Sequence, residues 1–347
     1  MRPRIQRFIR DCVGAHPGAQ AVEREALALF RWQRAQNPRY GAFCGDVEPT
    51  DIHGIPAVPV ALFRSLPLCC GPSEQARLVF HTSGTTTGRP GKHRLVDSQT
   101  YDLASSSWFH ARFPGAPRRC VSLIPSPAQA PHSSLSHMIQ LLYPDAVWTT
   151  ADSGLVDVER AWASLAQQRQ PVLLAATALS LATLLDGPGR SELPSESLLM
   201  STGGFKGRSL SVDPLRLLGD ASTRLGGRTA LVGEYGMTEL SSQLWSRAWS
   251  PDAGPNGRSD GPFYAPPWLV PIVVDPGTGD PLPHGQAGQI RFVDLANDHS
   301  VLAIETMDSG TIQADGGLVL HGRLPGAAAR GCSLSVEEAL RASRARG

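Results

Sequence analysis

The run His81-Thr82-Ser83-Gly84-Thr85-Thr86-Thr87-Gly88-Arg89-Pro90-Gly91-Lys92 decides how the rest of the chain is read. Glycines let a backbone approach phosphate closely, hydroxyls and N–H groups donate to its oxygens, and a lysine offsets its charge. The run supplies all of these, and it follows the apolar segment Ala76-Arg77-Leu78-Val79-Phe80, which reads as a short strand feeding the loop. A P-loop needs G-x-x-x-x-G-K-[ST]; the spacing from Gly84 to Gly88 is different and no lysine follows Gly88. A dinucleotide fingerprint is excluded too, because no G-x-G-x-x-G occurs there. Taken alone, a Ser/Thr/Gly cluster can equally be a polar surface turn, so the decision rests on what surrounds it.

Upstream, residues 21–36 place Val22, Ala26, Leu27, Leu29, Phe30 and Trp32 at helical spacing with charges between them. That pattern predicts an N-terminal helical cap within 1–50. Downstream, helix patterns over 97–109, 134–143 and 158–168 alternate with strand patterns over 119–125, 171–176, 197–201 and 228–232. Such alternation predicts a layered α/β core over 51–245. Past Trp245 the chain turns to Pro/Gly-rich turns and short strands at 269–274 and 289–293. This predicts a small β-rich subdomain, 246–321, and then a hinge-like C-terminal segment, 322–347.

With 41% hydrophobic and 18% charged residues among 347, the chain can bury a large core. Its 32 basic residues nearly cancel its 31 acidic ones, and no basic run is dense enough for a polyanion groove. A small molecule or a protein is therefore expected as partner, not a nucleic acid. Residues 1–12 interleave charged and apolar side chains and lack the apolar core of a secretory leader. No stretch reaches the roughly 20 apolar residues of a membrane span. A cytoplasmic protein with its six cysteines as free thiols is expected, and no C-x-x-C pair points to zinc.

Further runs follow the loop in order. They are Leu199-Met200-Ser201-Thr202-Gly203-Gly204, then Gly233-Glu234-Tyr235-Gly236-Met237-Thr238-Glu239, then Asp294-Leu295-Ala296-Asn297 ahead of Glu305-Thr306-Met307-Asp308-Ser309-Gly310, and finally Gly322-Arg323. Together with the loop they resemble the signature motifs of the adenylate-forming superfamily of acyl-CoA synthetases, luciferases and peptide-synthetase adenylation domains. The resemblance implies that fold, a large α/β domain with layered sheets, and ATP with Mg2+ as its requirements. By the same resemblance Ser83, Gly84, Thr85, Thr86 and Gly88 would wrap the β- and γ-phosphates, with Lys92 nearby and Thr82 also among the ATP-binding residues. The spacing departs slightly from the family's, since Gly91 displaces Lys92. Gly203 and Gly204 would lie along the adenine and Tyr235, next to Gly236, would stack on it. Thr238 would meet phosphate, Glu239 would hold magnesium, and Asp308 would accept from the ribose hydroxyls. Arg323 falls in the hinge motif, where Pro325 stands in place of the family's Asp. Attack of a carboxylate on the α-phosphorus brings two anions together, so donors and a cation are the groups such chemistry needs.

No lysine follows Gly331, so the lysine that the family's C-terminal lid carries is not expected from this chain. The chain resembles a shorter branch without the full lid, the LuxE-type acyl-protein synthetases, from about Val58 to Glu338. Ser133-Ser134-Leu135-Ser136-His137-Met138 and Arg330-Gly331-Cys332-Ser333-Leu334 carry part of that likeness. It implies a fatty acid as the carboxylic acid substrate and self-acylation at Cys332, followed by transfer to a protein acceptor such as an acyl reductase or carrier protein. A thiolate is a good nucleophile toward an acyl-adenylate, and Arg330 or Arg323 nearby would favour it. Thr85, Glu239 and Cys332 are the catalytic candidates, with Cys69-Cys70 as the rival thiols. His132 and His137 flank a helix start and are candidates for the acyl pocket, with packing as the competing role. Two alternatives stay open: transfer to CoA, a carrier protein or a small amine, and a non-catalytic module that only binds nucleotide or acyl ligand.

Overall fold

Ile5, Ile9 and Cys12 recur at helical spacing and form the buried stripe of the first helix, α1 (Arg2–Gly14). The stripe expected over 21–36 is realised in α2 (Ala19–Gln36), which buries Val22, Ala26, Leu29 and Phe30. The two helices are tied by Arg4, whose guanidinium reaches both carboxylate oxygens of the buried Glu25 at 2.5 and 3.0 Å. Asn37 then caps α3 (Pro38–Cys44), its side chain accepting from Tyr40 N at 3.1 Å. The computed structural model describes residues 1–15, 17–82, 90–203, 214–248 and 261–324.

The chain continues through β1 (Val58–Pro59), β2 (Leu78–His81), β3 (Lys92–Leu95), α4 (Gln99–Arg112), β4 (Arg119–Ser122), α5 (Ser134–Leu142) and β5 (Val147–Trp148). Next come α6 (Val158–Ala166), β6 (Val172–Thr177), α7 (Ala178–Asp186), β7 (Leu198–Thr202), α8 (Pro214–Arg224) and β8 (Ala230–Tyr235). Six strands close the described order: β9 (Leu244–Ser246), β10 (Phe263–Tyr264), β11 (Leu269–Val274), β12 (Ala287–Asp294), β13 (Ala303–Ile312) and β14 (Leu318–Arg323). This is the mixed α/β fold that the alternating patterns predict, with the β-rich character expected past Trp245.

Two compact units divide these elements. One holds residues 1–108, 237–243 and, over the described residues, 265–324; the other holds 109–236 and, as described, 244–248 and 261–264. In the second unit the strand order is β10-β9-β8-β7-β6-β4-β5, parallel from β8 through β5 and antiparallel at the β9 and β10 end. Its β6 reads Val-Leu-Leu-Ala-Ala-Thr and is buried almost throughout, as expected for a parallel strand covered on both faces. Leu174, Leu181, Leu199, Leu217 and Leu231 share its core. Polar residues start the helices: Ser133 caps α5, Asp157 caps α6, and Thr177 forms a capping box with Ser180 on α7.

In the first unit β11 to β14 form an antiparallel meander, and β1 adds in parallel beside Ile304 and Glu305 of β13. A separate hairpin pairs β2 with β3. Phe80 and Leu95 of that hairpin pack with Tyr101. Among the described residues no helix is long and apolar enough to cross a membrane.

Candidate active site

The strands on either side of the Ser/Thr/Gly run form a hairpin. Phe80 pairs with His93 and His81 with Lys92, and beyond them Thr82 N donates to Gly91 O at 3.0 Å while Gly91 N donates to the Thr82 hydroxyl at 2.8 Å. Thr82 and Gly91 thus close the neck of the loop. Ser83, Gly84, Thr85, Thr86 and Gly88 lie outside the described residues, as do Gly204 and Cys332. Strand alternation in Lys92-His93-Arg94-Leu95 sends Lys92 outward and buries His93 completely.

Within the same unit the Met237–Gln243 segment brings Thr238 and Glu239 to this hairpin. The Thr238 hydroxyl donates to His81 O at 3.4 Å, and Thr238 O lies 2.8 Å from His93 Nδ1. Facing a carbonyl, Nδ1 must carry the ring proton. Burial pushes the His93 pKa down to about 4, so the ring is neutral. Glu239 is 7% exposed, and burial pushes its carboxyl up to about 7, against its own backbone hydrogen bond and the charges of Arg64 and Arg323. Asp308 pushes it the same way as burial does.

Those influences place Glu239, Asp308, Arg323 and Arg64 in one electrostatic neighbourhood. Asp308 and Arg323 are register partners on β13 and β14, with Arg323 Nε 3.9 Å from Asp308 Oδ1. The ladder slips beside them at Ser309 and Gly310, and Gly322 takes φ +104°, a left-handed value that a side chain would strain. Residues that the motifs single out far apart in the sequence therefore meet in one unit.

The second unit holds the remaining candidates. The parallel strands β7 and β8 end side by side at Thr202 and Glu234, followed by Gly203 at φ +77° and by Tyr235 and Gly236. The carboxyl edge of parallel strands is where α/β sheets take their ligands. The Tyr235 ring lies 6.0 Å from that of Phe263, tilted by 54°. The Thr202 hydroxyl donates to the Glu234 carboxyl, and burial pushes that carboxyl up to about 7 despite the hydrogen bond. His132 is exposed ahead of α5 and His137 is half-buried on it.

Five polar residues gain a place that the sequence did not assign: Arg64, His93, Glu234, Asp294 and Asn297. For the last two a signal exists, since Asp294 is the polar end of the apolar strand β12 and Asn297 follows it in the turn; both are fully buried. For His93 it is the inward position on β3. Arg64 carries no such signal.

The residues in hand suit nucleotide with magnesium. Magnesium is commonly held by one or two carboxylates together with substrate phosphates, and among the described residues no cluster of three or more His, Cys, Asp or Glu offers an all-protein cage. Glu239 fits the first arrangement, because a cation beside it would restore the charge that burial disfavours.

The fold is that of the adenylate-forming ligases. It is similar to ATP-bound MatB from Rhodopseudomonas palustris at TM-score 0.53 and 18% identity, over 73% of this chain and 49% of that one. It is also similar to a long-chain-fatty-acid-CoA ligase from Archaeoglobus fulgidus at TM-score 0.52 and 16% identity, over 74% and 53%. The match thus spans about half the length of those structures. In sequence the chain is similar to the long-chain-fatty-acid--luciferin-component ligase of Vibrio harveyi, 22% identical over 93% of this chain and 89% of that protein. That near full-length correspondence bears out the LuxE-type likeness of the motifs. No family model matches the chain.

Proposed function

We propose that the protein is an ATP-dependent, AMP-forming ligase that activates a fatty acid and passes the acyl group through Cys332 to a protein acceptor. The observation that carries this reading is the gathering of Glu239, Asp308 and Arg323 in one unit beside the hairpin of the phosphate loop. The name of the Vibrio harveyi relative, a long-chain-fatty-acid ligase, supports a fatty acid as substrate.

In the first step a carboxylate oxygen of the acid attacks the α-phosphorus of ATP, the bond to the β-phosphate bridge breaks, and pyrophosphate leaves. Thr82, Lys92 and Thr238 would receive the phosphates and Asp308 the ribose hydroxyls, all within the first unit. Glu239 would hold Mg2+, which when bound supplies charge that offsets the approaching anions. In the second step the Cys332 thiolate attacks the acyl carbonyl carbon, the bond to AMP breaks, and AMP leaves with the electron pair. An acceptor nucleophile then takes the acyl group and frees the thiol.

The five described cysteines support Cys332 as the acyl carrier. Cys12, Cys44, Cys69, Cys70 and Cys120 are all buried, and burial raises each thiol pKa, to about 12 for Cys12 and Cys44. Such thiols are poor nucleophiles.

The test is a Cys332→Ser variant assayed with labelled fatty acid and ATP. Acid-dependent pyrophosphate exchange should persist while label held through denaturation disappears. Retained label would move the nucleophile elsewhere, and label passing only to CoA or an amine would replace the protein acceptor. Nucleotide binding without acid-dependent AMP formation would make the chain a binding module.

A further inference from the structure

The backbone around Glu239 is held by buried side chains. His93 Nδ1 donates to Thr238 O at 2.8 Å, and Asn297 Nδ2 donates to Glu239 O at 2.8 Å. Asp294 accepts from Ser241 N at 2.9 Å and from the Ser242 hydroxyl at 2.8 Å. His93, Asn297 and Asp294 are each fully buried. Burying such groups is unfavourable unless they are hydrogen-bonded, and an apolar loop could have been anchored by packing alone. Here the donors meet the carbonyls of the two motif residues themselves.

The source of each donor gives the arrangement its consequence. His93 sits next to Lys92 on β3, so its bond links Thr238 to one strand of the loop-bearing hairpin, while the Thr238 hydroxyl reaches His81 on the other. Asn297 approaches from the turn after β12, where its amide also donates to Val301 O at 3.1 Å. That second bond fixes which way the amide points. The Glu239 backbone is held by one residue and that of its neighbour by another, each from a different part of the unit.

We infer that His93 and Asn297 are positioning residues that fix Glu239 for magnesium and set it relative to the hairpin of the phosphate loop. The inference rests on the reading of Glu239 as the magnesium-holding carboxylate. Neither residue touches substrate; both act through backbone carbonyls.

The experiment titrates magnesium into each protein with a fluorescent ATP analogue bound, alongside acid-dependent pyrophosphate exchange. His93→Phe and Asn297→Leu keep bulk and remove the donor, whereas His93→Asn keeps a donor near the Nδ1 position. The magnesium concentration for half-maximal tightening should rise at least about tenfold in the first two, with metal-free nucleotide affinity within about twofold of wild type. His93→Asn should return most of the loss, and Glu239→Gln should abolish the magnesium effect. Circular dichroism and unfolding midpoints report whether each variant folds; if His93→Phe does not, the contrast between wild type, His93→Asn and Asn297→Leu decides. Unchanged magnesium dependence in an active protein overturns the inference alone. A wild type that makes no AMP overturns the activation reading and the inference with it.

Discussion

Asp308 and Arg323 stand opposite each other on adjacent antiparallel strands, Oδ1 to Nε at 3.9 Å, with the Arg323 side chain 64% exposed. At that exposure an ion pair contributes little to folding. Replacing Asp308 by Ala should change unfolding free energy by less than about 1 kcal/mol. It should lower kcat/KM for ATP by about 10- to 100-fold, the equivalent of one charged hydrogen bond. Steady-state assays with ATP and 2′-deoxy-ATP check the assignment: wild type should prefer ATP and the variant should not. A preference that survives the substitution would take Asp308 out of ribose recognition.

Glu239 makes the stability of the free protein fall as pH rises toward neutrality. Burial raises its pKa from 4.5 in the unfolded chain to about 7 in the fold. A folded pKa above the unfolded one means that the associated stability is complete below pH 4.5 and is lost as pH rises through 7. Glu239→Gln carries no such proton. Relative to wild type it should gain up to about 3 kcal/mol between pH 4.5 and pH 8, measured by urea unfolding without nucleotide. A difference that stays flat across this range would mean that the carboxyl is solvated.

The candidate residues were named from signals that are local. The order of the loop, Gly203, Tyr235 to Glu239, Asp308 and Arg323 is a property of sequence, and the alternation of apolar runs is enough to place the parallel strands. What escaped is the support: His93, Asn297 and Asp294 act on residues distant in the chain, and nothing in their own neighbourhoods names those partners. The strands that carry Asp308 and Arg323 were hidden for another reason. Neither β13 nor β14 is a clean alternation, because the ladder slips at Ser309 and Gly310 and the exposed end of β14 carries His321 and Arg323.

The burial of the five described cysteines predicts a chemical silence. In a Cys332→Ser protein at pH 8, a thiol reagent such as dithiobis-nitrobenzoate should label none of them on the timescale of minutes, because thiolate and access are both lacking. In urea all five should react. Rapid native labelling of Cys69 or Cys70 would reopen the case for that pair as acyl carrier.

Thr202 and Glu234 make the corresponding test in the second unit. The hydroxyl donates to a carboxyl that is 6% exposed and already pushed up to about 7 by burial, from which the hydrogen bond pulls it down. Thr202→Val keeps the shape and removes the donor, leaving an ionised Glu234 without its partner at a cost of about 1–3 kcal/mol. The sign follows from the shift: the folded pKa lies above the unfolded one, so stability falls as pH rises through 7, and losing the donor raises that pKa further and deepens the fall. The penalty of Thr202→Val should therefore be larger at pH 8 than at pH 6. In a Glu234→Gln background, where no charge forms, the same substitution should cost an amount that does not vary with pH. A penalty equally independent of pH in the wild-type background would show that the carboxyl never ionises in the fold, and that the hydroxyl is there for packing.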